Sequence, residues 1–218
     1  MLVHQPARGA GYRANVDAFH LAHFAAAPFS GRETRTVAFD LGAGAGAVGL
    51  SLLALHAVRR VVFVEIDPEA AAHAERNLTE HGWQSRADVI RGDVGDVAIE
   101  HAGAAHLVVA NPPYVEVGRG RTPAEARRAR ARVGSLETFV VAARKLAGRR
   151  ARVCFVYPAR ELATLFGALR SAGLEPKRMR AVHAKEDGPA RIVLVEAQAA
   201  KAGGLVIEPP RFEAKSST

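Results

Sequence analysis

The chain has 218 residues, with 30 Lys and Arg against 22 Asp and Glu, a formal charge of +8, 49% hydrophobic residues and a single cysteine. This length suits one sizeable core, and the lone Cys154, set in the apolar run Val153 to Val156, excludes an internal disulfide framework and reads as a small buried hydrophobe. No membrane span is expected, because the least charged stretch, Leu41 to Val58, is broken by four glycines and by His56, and the first residues lack the apolar core of a secretory signal.

A soluble, cytoplasmic protein is therefore expected, with a basic excess that suits a polyanionic partner. Asn15 is placed to cap a helix from Val16 to about Ala27, whose faces are apolar apart from His20 and His23, both read as helix packing. From residue 36 short β-branched runs alternate with helical periodicity. "TVAFDL", "RVVFVEI", "ADVIRG", "HLVVAN" and "ARVCFVYP" predict strands, and Ala43 to Ala57, Pro68 to His81, Ser135 to Ala147 and Ala159 to Ala172 predict helices. Asp67 precedes Pro68 as an N-cap should.

Strands alternating with helices imply an α/β fold, Rossmann-like, with a mostly parallel sheet covered on both faces. After Gly173 the order changes to strand then strand: "EPKRMRAVH", a turn at "KEDGPA", and "RIVLVEAQ" predict an antiparallel hairpin at one edge, giving seven strands. The polar tail from Arg211 to Thr218 is expected to fray. The expected organisation is a single domain over residues 1–218, with an N-terminal cap segment at 1–34, a core at 35–200 and a tail at 201–218.

Glycines at 42, 44, 46 and 49 separate the first strand from its helix, where a tight turn can bring backbone N–H groups to a ligand. Gly44-x-Gly46-x-x-Gly49 matches the dinucleotide fingerprint, and Glu65 lies where a ribose-binding acid would, so a nicotinamide dinucleotide is one candidate. Asp40 argues otherwise: an acid just ahead of the glycines repels a pyrophosphate and suits a ligand with a cationic end, such as S-adenosyl-L-methionine (SAM). The run Asp40 to Gly46, with Glu65 and then "GDV" at 92–94, resembles the class I SAM-dependent methyltransferases. That resemblance implies that Glu65 holds the ribose hydroxyls and that Asp93 accepts from the adenine amine.

"NPPY" at 111–114 follows the fourth strand, at the same carboxyl edge of the sheet. Two prolines remove two backbone donors, so the strand cannot continue as a ladder, and the carbonyl of Pro112 is available to the site. The exocyclic amine of adenine is a poor nucleophile because its lone pair is delocalised into the ring. Accepting its hydrogens on the Asn111 side-chain oxygen and the Pro112 carbonyl would favour a pyramidal nitrogen. Tyr114 would stack on the base, a contact worth roughly 1–3 kcal/mol. The tetrapeptide resembles the signature shared by adenine N6, guanine N2 and protein-glutamine N5 methyltransferases, which fits planar nitrogen chemistry without choosing the substrate.

Two further stretches, His4 to Phe24 and Glu186 to Pro210, resemble the bacterial family that methylates N6 of adenine 37 in valine tRNA. The resemblance implies that Gln5, Tyr12, Arg13 and Asp17 belong to a segment folded over the cofactor, with Tyr12 and Asp17 contacting it. After the signature, Arg119, Arg121, Arg127, Arg128, Arg130 and Arg132 face only Glu116 and Glu125, a run placed to grip RNA phosphates or to form a solvated face. Where that family commonly carries a histidine and a glutamate after this run, the chain has Val133 and Gly134, with Glu137 later. The histidines show no metal-ligand spacing, so no metal is expected, and a monomer is the default. The reading is thus a SAM-dependent adenine N6-methyltransferase acting on RNA, with tRNA the expected partner. A protein-glutamine N5-methyltransferase, a non-catalytic RNA-binding module and an oxidoreductase are the alternatives.

Overall fold

The computed structural model describes residues 16–27, 36–113 and 135–213. Five parallel strands form the centre: β1 (Val37–Leu41), β2 (Arg60–Glu65), β3 (Ala87–Arg91), β4 (Ala105–Ala110) and β5 (Ala147–Pro158). β6 (Glu175–His183) and β7 (Ala190–Gln198) form the expected antiparallel hairpin, and β7 pairs antiparallel with β5. The hairpin enters the sheet second strand first, in the order β3-β2-β1-β4-β5-β7-β6.

The sheet has nine strands rather than seven. β8 (Val206–Ile207) and β9 (Arg211–Phe212) both run parallel to β6 on its outer side. The expected fraying of the tail is corrected for Arg211 and Phe212. β6 would otherwise present a row of unpaired N–H and C=O groups, and the chain turns back after Gly203 and Gly204, both at positive φ, to supply partners. Residues 214–218 lie outside the described part.

The strand periodicity of two divides the core between two faces. On one face Ala38, Phe63, Leu107, Val109 and Cys154 pack under α1 (Val16–Ala26), α2 (Ala47–Ala54) and α3 (Pro68–Glu80). Phe39, Val62, Val108 and Phe155, their neighbours in sequence, pack on the other under α4 (Val94–Glu100), α5 (Leu136–Leu146) and α6 (Leu162–Ser171). α4 was not expected. Its signal was present, since Asp93 caps it and Val94, Val97 and Ala98 form its buried stripe. Its seven residues are too few for a strong periodicity.

α2 starts at Ala47 rather than Ala43, because Gly42, Gly44 and Gly46 all take positive φ and spend four residues as a loop. Gly49 serves the packing of α2 on β2: a Cβ there would lie 2.4 Å from the Phe63 ring. Gly49→Ala should therefore cost about 1–3 kcal/mol of stability through overpacking, measured as a lowered urea midpoint. α3 begins as its sequence indicates, with Asp67 Oδ1 accepting from the N–H groups of Glu69 and Ala70 at 2.8 and 3.1 Å.

α1 is tied down at its C-terminal end by two arginines from the sheet. Arg178 donates to the carbonyl of Phe24 and stacks on its ring at 3.9 Å, and Arg152 donates to the carbonyl of Ala25. These satisfy carbonyls that a helix end leaves without partners. Both arginines share the buried carboxylate of Glu196, at 2.8 Å each. Cys154 lies beside Glu196, and burial pushes its thiol up to about 12, the inert buried thiol expected. The expected packing role of the α1 histidines holds for neither in full: His23 is exposed and His20 is only partly buried, 3.8 Å from Glu213.

Candidate functional site

Parallel strands running one way bring their carboxyl ends to one edge, and the chain places its site there. A cleft at that edge is lined by Asp40 from β1, by Gly42, Ala43, Gly44 and Ala45 of the loop, by Ala47 and Val48 of α2, by Asn111 after β4, and by Ala18 of α1. The glycine loop and Asn111 are 111 − 44 = 67 residues apart in sequence. They meet because β4 pairs directly with β1, Leu41 opposite Ala110.

The loop is held from both sides. Gly42 and Ala43 donate to the carbonyl of Val64, at 2.9 and 3.1 Å. A Cβ at Gly42 would lie 2.9 Å from Phe139 of α5, so glycine is needed there for closeness as well as for its φ of +64°. Around Gly44 the opposite holds: a Cβ would meet nothing within 4 Å, so the outer face of the loop is open to a ligand.

Glu65, at the end of β2, spans the loop and the next helix. Its Oε2 accepts from the Gly44 N–H at 2.7 Å and its Oε1 from the Asp67 N–H at 2.8 Å. Each carboxylate oxygen has a second lone pair for a ligand hydroxyl. Asp40 is almost wholly buried, at 1% exposure, and its Oδ2 accepts from the Gly49 N–H at 2.9 Å. Burial pushes its carboxyl up to about 7; the Gly49 hydrogen bond opposes this and the nearby Glu65 charge adds to it. A buried acid lining an open cleft is under-stabilised until a positive charge arrives, which is what a cationic ligand group would supply.

The remaining described residues singled out from the sequence lie beside this cleft or away from it, not in its lining. Gly46 caps α2 with φ 85° and packs against Phe63, so it shapes the loop from behind the cleft. Asp93 is exposed at the end of β3, and its Oδ1 accepts from the Gly95 N–H at 2.7 Å as the cap of α4. It lies one strand beyond Glu65, outside the cleft lining. Pro112 is buried beside Asn111, with Pro113 half-buried. Asp17 is fully buried next to Ala18, and its carboxylate receives Arg191 at 2.5 Å. Arg191 also binds Glu213, which follows β9. Gln5, Tyr12, Arg13, Tyr114, Arg119, Arg121, Arg127, Arg128, Arg130 and Arg132 lie outside the described residues, as does the proposed cap Asn15.

Sequence reasoning missed the apolar wall of the cleft, Ala18, Ala47 and Val48. Small and β-branched residues carry no chemical signature, so only their place beside the loop identifies them. No helix among the described residues is long and apolar enough to cross a membrane. Among the described residues no cluster of His, Cys, Asp and Glu could hold a metal ion.

The residues fit S-adenosyl-L-methionine. Asp40 suits its positive end and Glu65 its ribose hydroxyls, and the open face at Gly44 leaves room for close backbone approach. Known proteins agree with that chemistry. A profile of the methyltransferase small domain matches residues 19–169. The chain is 37% identical over 78 residues to a tRNA1(Val) (adenine(37)-N6)-methyltransferase of Photorhabdus laumondii, a match covering 35% of the chain and 32% of that relative. It therefore spans about a third of that relative's length. A Haemophilus influenzae protein of the same name is 29% identical over 164 residues, 67% of the chain and 68% of the relative. Among solved structures, an Agrobacterium tumefaciens protein, predicted to be an O-methyltransferase, superposes with a TM-score of 0.69 at 23% identity, over 93% of this chain and 89% of that one. M. jannaschii TYW2, solved in complex with AdoMet, superposes with a TM-score of 0.58 at 17% identity, covering 85% and 77%. At these identities the structures show the fold alone. The glycine loop and acids at successive strand ends, together with a family match over most of its length, make this chain a member of the methyltransferase small-domain family.

Proposed function

We propose that the protein transfers a methyl group from S-adenosyl-L-methionine to N6 of an adenine in RNA, with a tRNA as substrate and adenine 37 of valine tRNA as its target. The observation that carries this reading is the position of Asn111: it lines the same cleft as Asp40 and the glycine loop. An amide acceptor beside a cofactor loop is the arrangement that activating a planar amine requires. The name shared by the Photorhabdus and Haemophilus relatives supports adenine and tRNA over other planar amines.

The cofactor supplies an electrophilic methyl group on a sulfonium. The protein's task is to orient the amine and to favour its pyramidal form. Asn111 Oδ1 and the Pro112 carbonyl accept its two hydrogens, which draws the nitrogen lone pair out of conjugation and towards the methyl carbon. Held by Asp40, Glu65 and the loop at Gly44, the cofactor would supply the methyl carbon and would leave as an uncharged thioether. The nitrogen, briefly cationic, then loses one proton to water, so no strong base is needed. Tyr114, next after the prolines, would hold the base by stacking, and an already unpaired loop nucleotide makes extrusion inexpensive. In this reading Tyr12 closes the cofactor end, Asp17, buried against Arg191, holds the start of α1 beside the cleft rather than touching the cofactor, Asp93 accepts from its adenine amine, and Arg119, Arg121, Arg127, Arg128 and Arg130 meet phosphates.

Incubation with methyl-labelled S-adenosyl-L-methionine and unfractionated tRNA tests it. Label should be recovered as N6-methyladenosine and should vanish when the RNA is digested first. Label that survives ribonuclease and appears in protein as methylglutamine would replace RNA by a protein substrate.

A further inference from the structure

The end of the sheet opposite the cleft, where the parallel strands begin, carries a row of cations. Arg59 precedes β2, and its backbone N–H and that of Arg60 both bond to the carbonyl of Thr36, just ahead of β1. Val37 donates its N–H to His106 Nδ1 at 3.3 Å, which brings the start of β4 alongside. Next comes β5, and its pairing with β4 slips. Ala105 faces Ala147 and Leu107 faces Arg152, so β5 advances five residues while β4 advances two.

The slack forms a bulge from 148 to 151 that projects Arg149 and Arg150 into solvent. The bulge is firmly seated, since a Cβ at Gly148 would lie 3.0 Å from the carbonyl oxygen of Gly103. Arg144 and Lys145, exposed in the last turn of α5, stand next to it, and Gly103 donates to the carbonyl of Lys145.

Arg59, Arg149 and Arg150 are exposed and make no ion pair with any described residue. Asp88, on the strand beside β2, is taken by Arg60 in a bidentate pair, and Glu175, at the start of β6, is taken by Arg170. Helix dipoles account for Arg144 and Lys145. They do not account for Arg59, Arg149 and Arg150, which lie on no helix. From β2 to β5 the row crosses three strand spacings, about 14 Å. Strands of five or six residues put it about 17–20 Å from the cleft.

We propose that Arg59, His106, Arg149 and Arg150, with Arg144 and Lys145 beside them, form a second phosphate-contacting surface that grips the substrate RNA away from the methylated base. This rests on the RNA reading above. The spacing suits a folded RNA that passes along the domain while one of its bases enters the cleft, and the absence of described carboxylate partners leaves these charges to a polyanion.

The test compares R59E/R149E/R150E and R59Q/R149Q/R150Q with the wild-type protein in binding to unfractionated tRNA from low to moderate salt. S-adenosyl-L-methionine binding is measured in parallel as the control for an intact fold. Three lost phosphate contacts should reduce the slope of log K against log salt by about 2 and weaken binding at least about tenfold at low salt. An unchanged slope in both variants overturns the proposal. So does loss of binding to an acidic polypeptide such as polyglutamate with tRNA binding intact, which would assign the row to an acidic protein. Wild-type protein that neither binds nor methylates RNA sinks the underlying reading instead, a distinct result.

Discussion

Asn111→Ala should lower methyl transfer by about 100- to 1000-fold while leaving S-adenosyl-L-methionine binding within about twofold. The magnitude is that of removing one positioned hydrogen-bonding group from a site where charge develops in the transition state. The cofactor should be spared because the groups that suit it, Asp40, Glu65 and the open loop at Gly44, come from β1, β2 and the turn between them. Asn111 comes from the end of β4. Asn111→Asp keeps an acceptor at the same place and should retain more activity than the alanine variant, although a carboxylate in this cleft adds a charge near buried Asp40. Single-turnover transfer and equilibrium binding separate the two effects. Alanine activity equal to wild type would remove Asn111 from the chemistry.

Asp40→Asn should change both stability and cofactor affinity, and the pH dependence identifies the cause. The Asp40 carboxyl is raised from 3.8 to about 7 in the fold by burial. Between those values the native protein holds a proton that the unfolded chain has lost, so stability falls as pH rises through the window and levels off above about 7. The difference of 7 − 3.8 = 3.2 units corresponds to at most about 4 kcal/mol. Asparagine can still accept the Gly49 N–H without that penalty. The variant without ligand should therefore melt higher than wild type at pH 8 and nearly together with it at pH 4. For the cofactor the sign reverses. A cation favours the ionised carboxylate, so wild-type affinity should weaken as pH drops below about 7, by up to about tenfold per unit. The asparagine variant should bind more weakly at pH 8 and show little dependence on pH. A wild-type affinity that is flat from pH 6 to 8 would mean that Asp40 does not meet the positive charge.

The contrast between these variants shows where the information lay. The glycine spacing, the acid ahead of it, the acid that ends β2 and the tetrapeptide after β4 were legible because each is a local signal: a residue type at a strand end, where chemistry and backbone geometry restrict the choice. The same locality made Asp67 readable as a cap, and period-two runs readable as strands.

What required the fold was anything set by pairing between distant segments. The meeting of Asn111 with the glycine loop depends on β4 lying beside β1, and the entry of Ala18 into the cleft depends on Arg152 and Arg178 gripping the end of α1. The two short strands that cover β6 have two residues each, too few for any periodicity, and exist because an edge offered them hydrogen bonds. The arginine row at the amino edge is scattered over residues 59 to 150 and includes a bulge that no pattern announces. By itself the sequence determined the chemistry available at each strand end. The tertiary structure decided which of those ends share a cleft and which charges remain uncompensated, because hydrogen-bonded register and buried packing act between residues far apart along the chain.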